Sequence, residues 1–271
     1  MLPKSSIEPY PLPRDQPGAV DVLGIPLALT DYDGTISLVD SVVRERQHGY
    51  ICVCNVHAVM ASGEDPELRA ALLGSTINVP DGQPLVWAIN ALGYSLTGRV
   101  YGPELMWRAC AHAARTGQRF YLYGGRNQGS LVQLALNLRQ KHPGVKIVGG
   151  YSPPHRALTE EEQAAVAEEI NRSRADVVWV GIGVPKQEKW MAEMRPYLEA
   201  PLLIGVGAAF DFHAGLVPQA PMWLQEAGLE WAYRLAHEPR RLWRRYMRYN
   251  PRFMAAFASQ FKAHRRDVHP G

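Results

Sequence analysis

Hydrophobic positions along the chain form short apolar runs that alternate with longer amphipathic segments. Solid apolar runs are typical of strands covered on both faces. Their alternation with segments of helical periodicity indicates βαβ units and a mostly parallel sheet. The pattern therefore predicts an α/β fold whose sheet is flanked by helices. The runs predicted as strands are Val20–Leu29, Tyr50–Asn55, Ile77–Pro80, Arg119–Tyr123, Val145–Val148, Val177–Val180 and Leu202–Gly205.

The segments between these runs have the 3.6-residue periodicity of helices. Thr159 with Glu162 three residues later predicts a capping box. After about Val217 the pattern is helical to the end, and Pro251 is expected to end or kink that helix. The predicted helices run from Asp31 to about Gln47, His57 to Leu73 with a break at Gly63 and Pro66, Pro84 to Leu92, Glu104 to Thr116, Gln128 to Lys141, Thr159 to Arg172, and Lys186 to Leu198.

Charge divides the 271-residue chain unevenly. Residues 216–271 carry ten Lys or Arg and four acids, a net +6, whereas the rest carries −3. This tail also holds nine of the 25 aromatic residues. Basic residues beside bulky aromatics are typical of a helix lying on an anionic membrane surface; the alternative is a solvated basic helix whose aromatics pack on the body. We therefore predict a proline-rich leader (1–18), a body (19–217) and a basic helical appendage (218–271).

Composition excludes several classes of protein. Hydrophobic residues make up 46% and charged residues 20%, which are globular values. Three cysteines are too few for a disulfide scaffold, and Cys52 and Cys54 are expected in the core. No two of His57, His213 and His237 stand at ligand spacing with an acid between them, so no structural metal is predicted. Nucleic acid is not an expected partner, because the body carries no matching basic surface.

Candidate chemistry is expected at the carboxyl ends of the strands, where open α/β sheets bind their ligands. Asp81 there can act as a general base, or it can be a turn residue or helix cap. Asp211 can accept hydrogen bonds from a ligand or cap a loop, and Arg99 can neutralise a diphosphate or lie on the surface. The strand-end segments are Asn55, Asp81-Gly82, Gly124-Gly125, Gly181–Gln187 and Gly207–Asp211.

Two glycine-containing turns point to a phosphate. Gly124 and Gly125 follow a strand and precede a helix, so the backbone there can approach a phosphate at a helix N-terminus; a tight strand-to-helix turn is the alternative. In the second turn, around Gly183, Lys186 can meet a phosphate and Gln187 can hydrogen-bond a sugar hydroxyl. Glu188 can complement the helix dipole.

One motif suggests a different enzyme. Asp31 and Asp33 stand in a D-x-D-G-T sequence that is similar to the first motif of haloacid-dehalogenase-type phosphatases. That family also needs a paired acidic motif for magnesium at a later strand end, and the only later strand-end acid is Asp211. We therefore interpret this motif as a helix N-cap region and keep the phosphatase as an alternative. A non-catalytic nucleotide- or lipid-binding module is a second alternative.

Seven motifs in order carry a family resemblance over about Val20 to Phe253. The chain resembles the WecG/TagA/CpsF glycosyltransferases of bacterial surface polysaccharide and wall teichoic acid synthesis. The motifs are CNVHAVMASGEDPELRAALL, VPDGQPLVWA, RVYGPELM, FYLYGGRNQG, GIGVPKQEKW, GVGAAFDFHAG and APMWLQEAGLEWAYRLAHEPRRLWRRY.

The resemblance implies a Rossmann-like, inverting hexosyltransferase. It would move a sugar of N-acetylmannosamine type from a UDP-sugar to a sugar on an undecaprenyl diphosphate lipid. Arginines and backbone N–H groups, rather than a metal, are expected to stabilise the departing UDP. We expect a cytoplasmic enzyme that is peripheral on the inner face of the membrane and can form a homo-oligomer.

The resemblance also assigns residues. Asp81 is implied as the base, with Asn55 and Gln187 as further catalytic positions. One position departs from the family, because Val53 stands where members often carry Thr. The substrate-binding residues expected from the motifs and the resemblance are Arg99, Gly124, Gly125, Gly183, Lys186, Asp211, Arg234, Arg241 and Arg244.

Overall fold

A six-stranded parallel sheet forms the centre of the protein in a computed structural model that describes residues 16–221, 223–224, 230–237 and 239–268. Residues 1–15 of the predicted leader lie outside this range. The strands are β1 (Ala19–Val22), β2 (Ile25–Ala28), β3 (Gly49–Cys54), β4 (Ile77–Pro80), β5 (Arg119–Gly124), β6 (Lys146–Tyr151), β7 (Val177–Gly181) and β8 (Leu202–Gly205). The order β4-β3-β8-β7-β5-β6 confirms the predicted α/β fold with a parallel sheet.

The first predicted strand is wrong, because Val20–Leu29 folds as a hairpin. Strands β1 and β2 pair antiparallel in a separate two-stranded sheet. Leu23 and Gly24 form the turn with φ angles of 56° and 83°. Two consecutive left-handed residues match the right-handed twist of the flanking strands. The apolar run continues through this turn, so hydrophobicity alone did not reveal it.

Helices fill the connections between strands largely as predicted. Asp31 caps the first helix by accepting the Gly34 N–H at 2.8 Å, and Thr159 forms the predicted capping box with Glu162. The helices are α1 (Tyr32–Arg44), α2 (Val56–Ser62), α3 (Pro66–Leu73), α4 (Gln83–Ala91), α5 (Gly102–Thr116), α6 (Gln128–Lys141), α7 (Glu160–Ser173), α8 (Lys186–Met194), α9 (Ala209–His213), α10 (Glu230–His237) and α11 (Pro239–Val268).

Helices cover both faces of the sheet. Strand β5 shows why, since Tyr121 and Tyr123 point into one buried cluster and Phe120 and Leu122 into the other. Helices α2, α3, α4, α7, α8 and α11 contribute to the first cluster, and α1, α5, α6 and α9 contribute to the second. With both faces covered, the carboxyl edge of the sheet is the place left for a site.

Helix α11 continues through Pro251, so the expectation that this proline would end the helix is wrong. A proline inside a helix removes one hydrogen bond and costs about 3 kcal/mol, so other contacts must hold the helix together. Phe253 is buried in the core cluster beside α2. Arg248 and Arg252, four residues apart, both bind Glu64, at 2.6 and 2.8 Å. These contacts on both sides of the proline offset the lost hydrogen bond.

The tail aromatics differ in burial. Tyr249, Phe253, Phe257 and Phe261, each four residues from the next, pack against the core. This confirms the packing interpretation for these four residues. Other large side chains of the tail, Trp231 and Trp243 among them, are exposed. In the described part of the chain, no helix has both the length and the apolar character that a membrane span requires.

One prediction concerns stability in acid. Burial, together with the positive charges of Arg195 and Arg46, lowers the pKa of His48 from 6.5 to about 4. The unfolded chain therefore binds this proton more readily than the folded protein, so stability is full above about pH 6.5 and falls as the pH drops towards 4. We expect the free energy of unfolding of His48→Asn, measured by urea denaturation, to depend less on pH between pH 7 and 4.5 than that of the parent protein. Equal slopes for the variant and the parent would contradict the assignment.

Candidate active site

Two cavities open at the carboxyl edge of the sheet. A large cavity of about 760 Å³ lies beyond β5, β7 and β8, and a small cavity of about 150 Å³ lies beyond β3 and β4. Helix α9 connects them: Asp211 lines the large cavity, and the next residue, Phe212, contacts the small-cavity residues Tyr101 and Arg234. Because β3 and β8 are neighbours in the sheet, the strand ends beneath the two cavities lie side by side.

The small cavity brings together four of the predicted residues, Asn55, Asp81, Arg99 and Arg234. Asn55 caps α2 by accepting the Ala58 N–H at 3.1 Å, so its amide nitrogen remains as a donor for a ligand. Asp81 follows β4, and its N–H donates to the Cys54 carbonyl at 2.7 Å. Helix α4 has no side-chain cap, so the alternative interpretation of Asp81 as a helix cap is wrong.

The next residue explains how the chain turns at Asp81. Gly82 has φ 126°, a conformation that a side chain would disfavour. Glycine here lets the chain pass from the end of β4 into α4 while Asp81 remains at the cavity. The position of the carboxylate thus follows from local backbone chemistry.

A charge network lies beside Asp81 in the small cavity. Arg99 forms an ion pair with Glu230 of α10; the Glu230 side chain is buried and the Arg99 side chain is partly buried. Burial alone would lower the pKa of Arg99, but the charges of Asp81 and Glu230 raise it above its ordinary value. Burial, reinforced by Glu230, also raises the pKa of Tyr101, whose ring lies 4.5 Å from the Arg99 guanidinium. Arg99 therefore stays cationic, because both carboxylates act on it.

The large cavity contains four other predicted residues, Gly125, Gly183, Lys186 and Asp211. Arg126 holds Asp211 through two hydrogen bonds, of 3.0 and 3.1 Å. The sequence analysis missed Arg126, although it directly follows Gly125. A paired guanidinium fixes the orientation of the carboxylate at the cavity wall.

Comparison with protein families decides what kind of enzyme this is. The model of the glycosyl transferase WecG/TagA/CpsF family matches residues 20–267. The chain belongs to this family. It is therefore a glycosyltransferase of polysaccharide synthesis, and the resemblance expected from the seven motifs is confirmed.

The glycine turn after β5 of this glycosyltransferase packs closely against the end of β7, and its expected contact with a phosphate stays a prediction. A methyl group on Gly124 would come within 2.5 Å of the Gly181 carbonyl oxygen, so this glycine permits close strand packing. The Gly125 N–H donates to the same carbonyl at 3.1 Å. Asn127 and Ser130 cap the first turn of α6 in a capping box. Helix α8, by contrast, has no side-chain cap and begins at Lys186, which lines the large cavity.

Gln187 and Glu188 lie in the interior of the enzyme. Gln187 lines neither cavity; its amide donates to Glu188 at 2.9 Å and packs beside Gly205. Glu188 is buried near Cys52 and Cys54, where burial and the Glu188 charge raise the thiol pKa values. Glu188 is thus not a surface residue that only complements the helix dipole. The expected contact between Gln187 and a sugar stays a prediction.

The tail arginines occupy different places. Arg234 lines the small cavity, with its guanidinium 5.5 Å from the Phe212 ring centroid. Arg244 is exposed on α11 and lines neither cavity, and the side chain of Arg241 lies outside the described part of the structure. Sequence analysis missed several residues of the small cavity because they come from separate parts of the chain. They are His57, Tyr101, Glu230, Tyr246, Tyr249 and Asn250.

Asp31 of the phosphatase-like motif lines neither of these two cavities; it lines another cavity, of about 700 Å³, beside α1. It follows β2, which belongs to the separate hairpin, and its carboxylate caps α1. The N-cap interpretation is therefore confirmed. Among the residues that the structure describes, no three His, Cys, Asp or Glu side chains form a group that could hold a metal ion.

Proposed function

We propose that the enzyme transfers a hexose-type residue, of N-acetylmannosamine or a related kind, from a UDP-sugar to a sugar on undecaprenyl diphosphate, with inversion. The supporting observation is that Asp81 lines a small cavity that helix α9 connects to a much larger one. A volume of about 760 Å³ is within the usual range for a small-molecule site. The large cavity would take the nucleotide, and the small one the reacting hydroxyl.

Asp81 would act as the general base. Its carboxylate takes the proton of the acceptor hydroxyl while the hydroxyl oxygen attacks the anomeric carbon. The bond from that carbon to the diphosphate oxygen breaks in the same step, and UDP leaves with the bonding electrons. One displacement from the face opposite the leaving group inverts the anomeric centre.

Positive groups of the large cavity would stabilise the departing UDP. The N-terminus of α8 carries a partial positive charge, and Lys186 stands at its first position. Arg126 and Lys186 both line this cavity. These groups support metal-independent transfer, which we include in the proposal.

The tail would bring the enzyme to the lipid-linked acceptor on the inner face of the membrane. Tail residues Trp231, Arg234 and Tyr246 line the small cavity, so an acceptor reaching Asp81 passes the tail. Trp243 and Met247, on the helix that carries Tyr246, are exposed. Exposed aromatic and thioether side chains beside arginines suit an anionic lipid surface.

The test is a screen of UDP-sugars against synthetic lipid-diphosphate sugars, with products identified by mass spectrometry. We expect one donor class to give an acceptor heavier by one sugar residue, together with UDP. Release of inorganic phosphate from small phosphoesters, lost in Asp31→Asn, would favour the phosphatase instead. Saturable UDP binding without transfer to any acceptor would favour a binding module.

A second prediction concerns membrane binding. We expect Trp243→Ser/Met247→Ser to reduce sedimentation with vesicles that contain anionic phospholipid, because two exposed apolar groups leave the tail. The matched control is Val132→Ser/Leu136→Ser on α6, which has the same four-residue spacing. The exposed fractions are 50% and 66% in the tail pair and 50% and 53% in the control pair. Equal sedimentation of the two variants would contradict a tail-specific contact.

A further inference from the structure

Glu230 is a buried acid contributed by the tail to the site of the proposed base. It is the first residue of α10 and lines the small cavity with Asp81. Its carboxylate contacts Arg99, 131 positions earlier in the chain. Arg99 and Asp81 line the same cavity and interact electrostatically, so one partly buried guanidinium acts on two carboxylates.

We propose that Glu230 is a positioning residue that shares Arg99 with Asp81 and so keeps Asp81 basic enough to accept a proton. This inference rests on the proposed role of Asp81 and adds a regulator of its basicity. An adjacent cation favours the ionised form of a carboxyl group and weakens it as a base. The carboxylate of Glu230, paired with the same guanidinium, weakens the influence of Arg99 on Asp81. Its negative charge also repels the ionised Asp81. Both contributions raise the proton affinity of Asp81.

Other charged and titratable groups also lie near Asp81. His57, Tyr101, Arg234, Tyr246 and Tyr249 line the same cavity. Tyr32 and Cys54 lie close enough for the charge of Asp81 to act on them. Glu230→Gln keeps all these side chains and removes one negative charge, so the expected change is a lower proton affinity of Asp81.

A merely structural role predicts something different. Glu230 could serve only to hold the tail against the body through an ion pair, as Glu64 does through Arg248 and Arg252. Glu64→Gln is thus a matched control: it removes a carboxylate that joins the tail to the body, on the surface and outside both cavities. Loss of an ion pair that only holds the tail in place would raise KM or destabilise the fold, but it would not move the pH profile of kcat/KM.

The decisive experiment compares pH profiles of Glu230→Gln, Glu230→Asp and Glu64→Gln. In Glu230→Gln we expect the acidic limb of kcat/KM to move down by about one pH unit, the low end of the range for one nearby charge. We expect kcat to fall about tenfold, because a weaker base accepts the proton less well, while KM for the UDP-sugar is unchanged. Glu230→Asp should restore the limb, and Glu64→Gln should leave it in place. An unmoved limb in Glu230→Gln overturns the inference.

A titration without substrates separates this inference from the proposed function. The ¹³Cγ shift of Asp81, assigned by its loss in Asp81→Asn, should titrate at lower pH in Glu230→Gln. It should titrate at higher pH in Arg99→Gln, which keeps the test available if Glu230→Gln does not fold. If the titration of Asp81 moves in opposite directions in the two variants but no sugar is transferred, the inference is supported and the proposed function is contradicted. If sugar transfer depends on Asp81 but its titration does not move, the proposed function is supported and the inference is contradicted.

Discussion

Replacing Asp81 with Asn is expected to lower kcat for sugar transfer by about 10²–10⁴-fold, the usual contribution of a general base. Asparagine has nearly the same shape, but its amide cannot take the proton of the acceptor hydroxyl. Donor binding should persist, because the large cavity is lined by other residues such as Lys186 and Asp211. Initial rates of transfer together with calorimetry of UDP binding would measure both effects.

Asp31→Asn is the control for this substitution. Asp31 also stands after a strand in an Asp-rich motif, but it caps α1 and lines neither the large nor the small cavity. Asparagine is as good an N-cap as aspartate, so we expect full transfer activity. If Asp81→Asn turned over normally, or if Asp31→Asn were inactive, Asp81 would not be the base.

Sequence periodicity predicted the sheet well, because burial on two faces leaves a strong local signal. Strand β5 is confirmed for that reason, and the capping box at Thr159 is confirmed because the Thr159–Glu162 spacing is itself a local signal. Two features of the fold differ from the sequence prediction because the local pattern did not decide them. The hairpin turn at Leu23 and Gly24 lay inside one apolar run, and Pro251 did not end α11, because the packing of Phe253 on the body outweighs the local preference.

The candidate site was predictable as far as strand ends define it. Asn55, Asp81, Lys186 and Asp211 follow strands, and each lines a cavity at the same edge. The sequence does not reveal which way a side chain points in the first turn of a helix. Gln187 was therefore predicted at the site, although its side chain lies in the interior. Contacts between distant segments carry no local signal at all.

Glu230 shows what this missing information means for function. In the tail sequence it is one acid among many arginines, and counting charge assigns it no role. In the folded protein it is paired with Arg99 beside Asp81. The appendage therefore brings a carboxylate to the base as well as arginines. In the proposals, the segment that would interact with the membrane is also the one that supplies the negative group acting on Asp81.

Phe253→Ala is expected to lower the free energy of unfolding by about 3–5 kcal/mol, as is usual when a buried Phe is truncated. Phe253 is 2% exposed and anchors α11 to the body just after Pro251, where the helix lacks a hydrogen bond. The neighbouring Met254 is 61% exposed, so Met254→Ala should change stability by no more than about 0.5 kcal/mol. Urea denaturation of both variants gives the comparison.

Phe253→Ala should also affect the candidate active site. Tyr246, Tyr249 and Asn250, on the preceding turns of α11, line the small cavity with Asp81. If Phe253 anchors this helix, hydrogen exchange in α11 of Phe253→Ala should quicken and sugar transfer should fall, while UDP binding in the large cavity persists. Equal stability and equal exchange in Phe253→Ala and Met254→Ala would show that the tail is held by other contacts, such as those of Glu64 with Arg248 and Arg252.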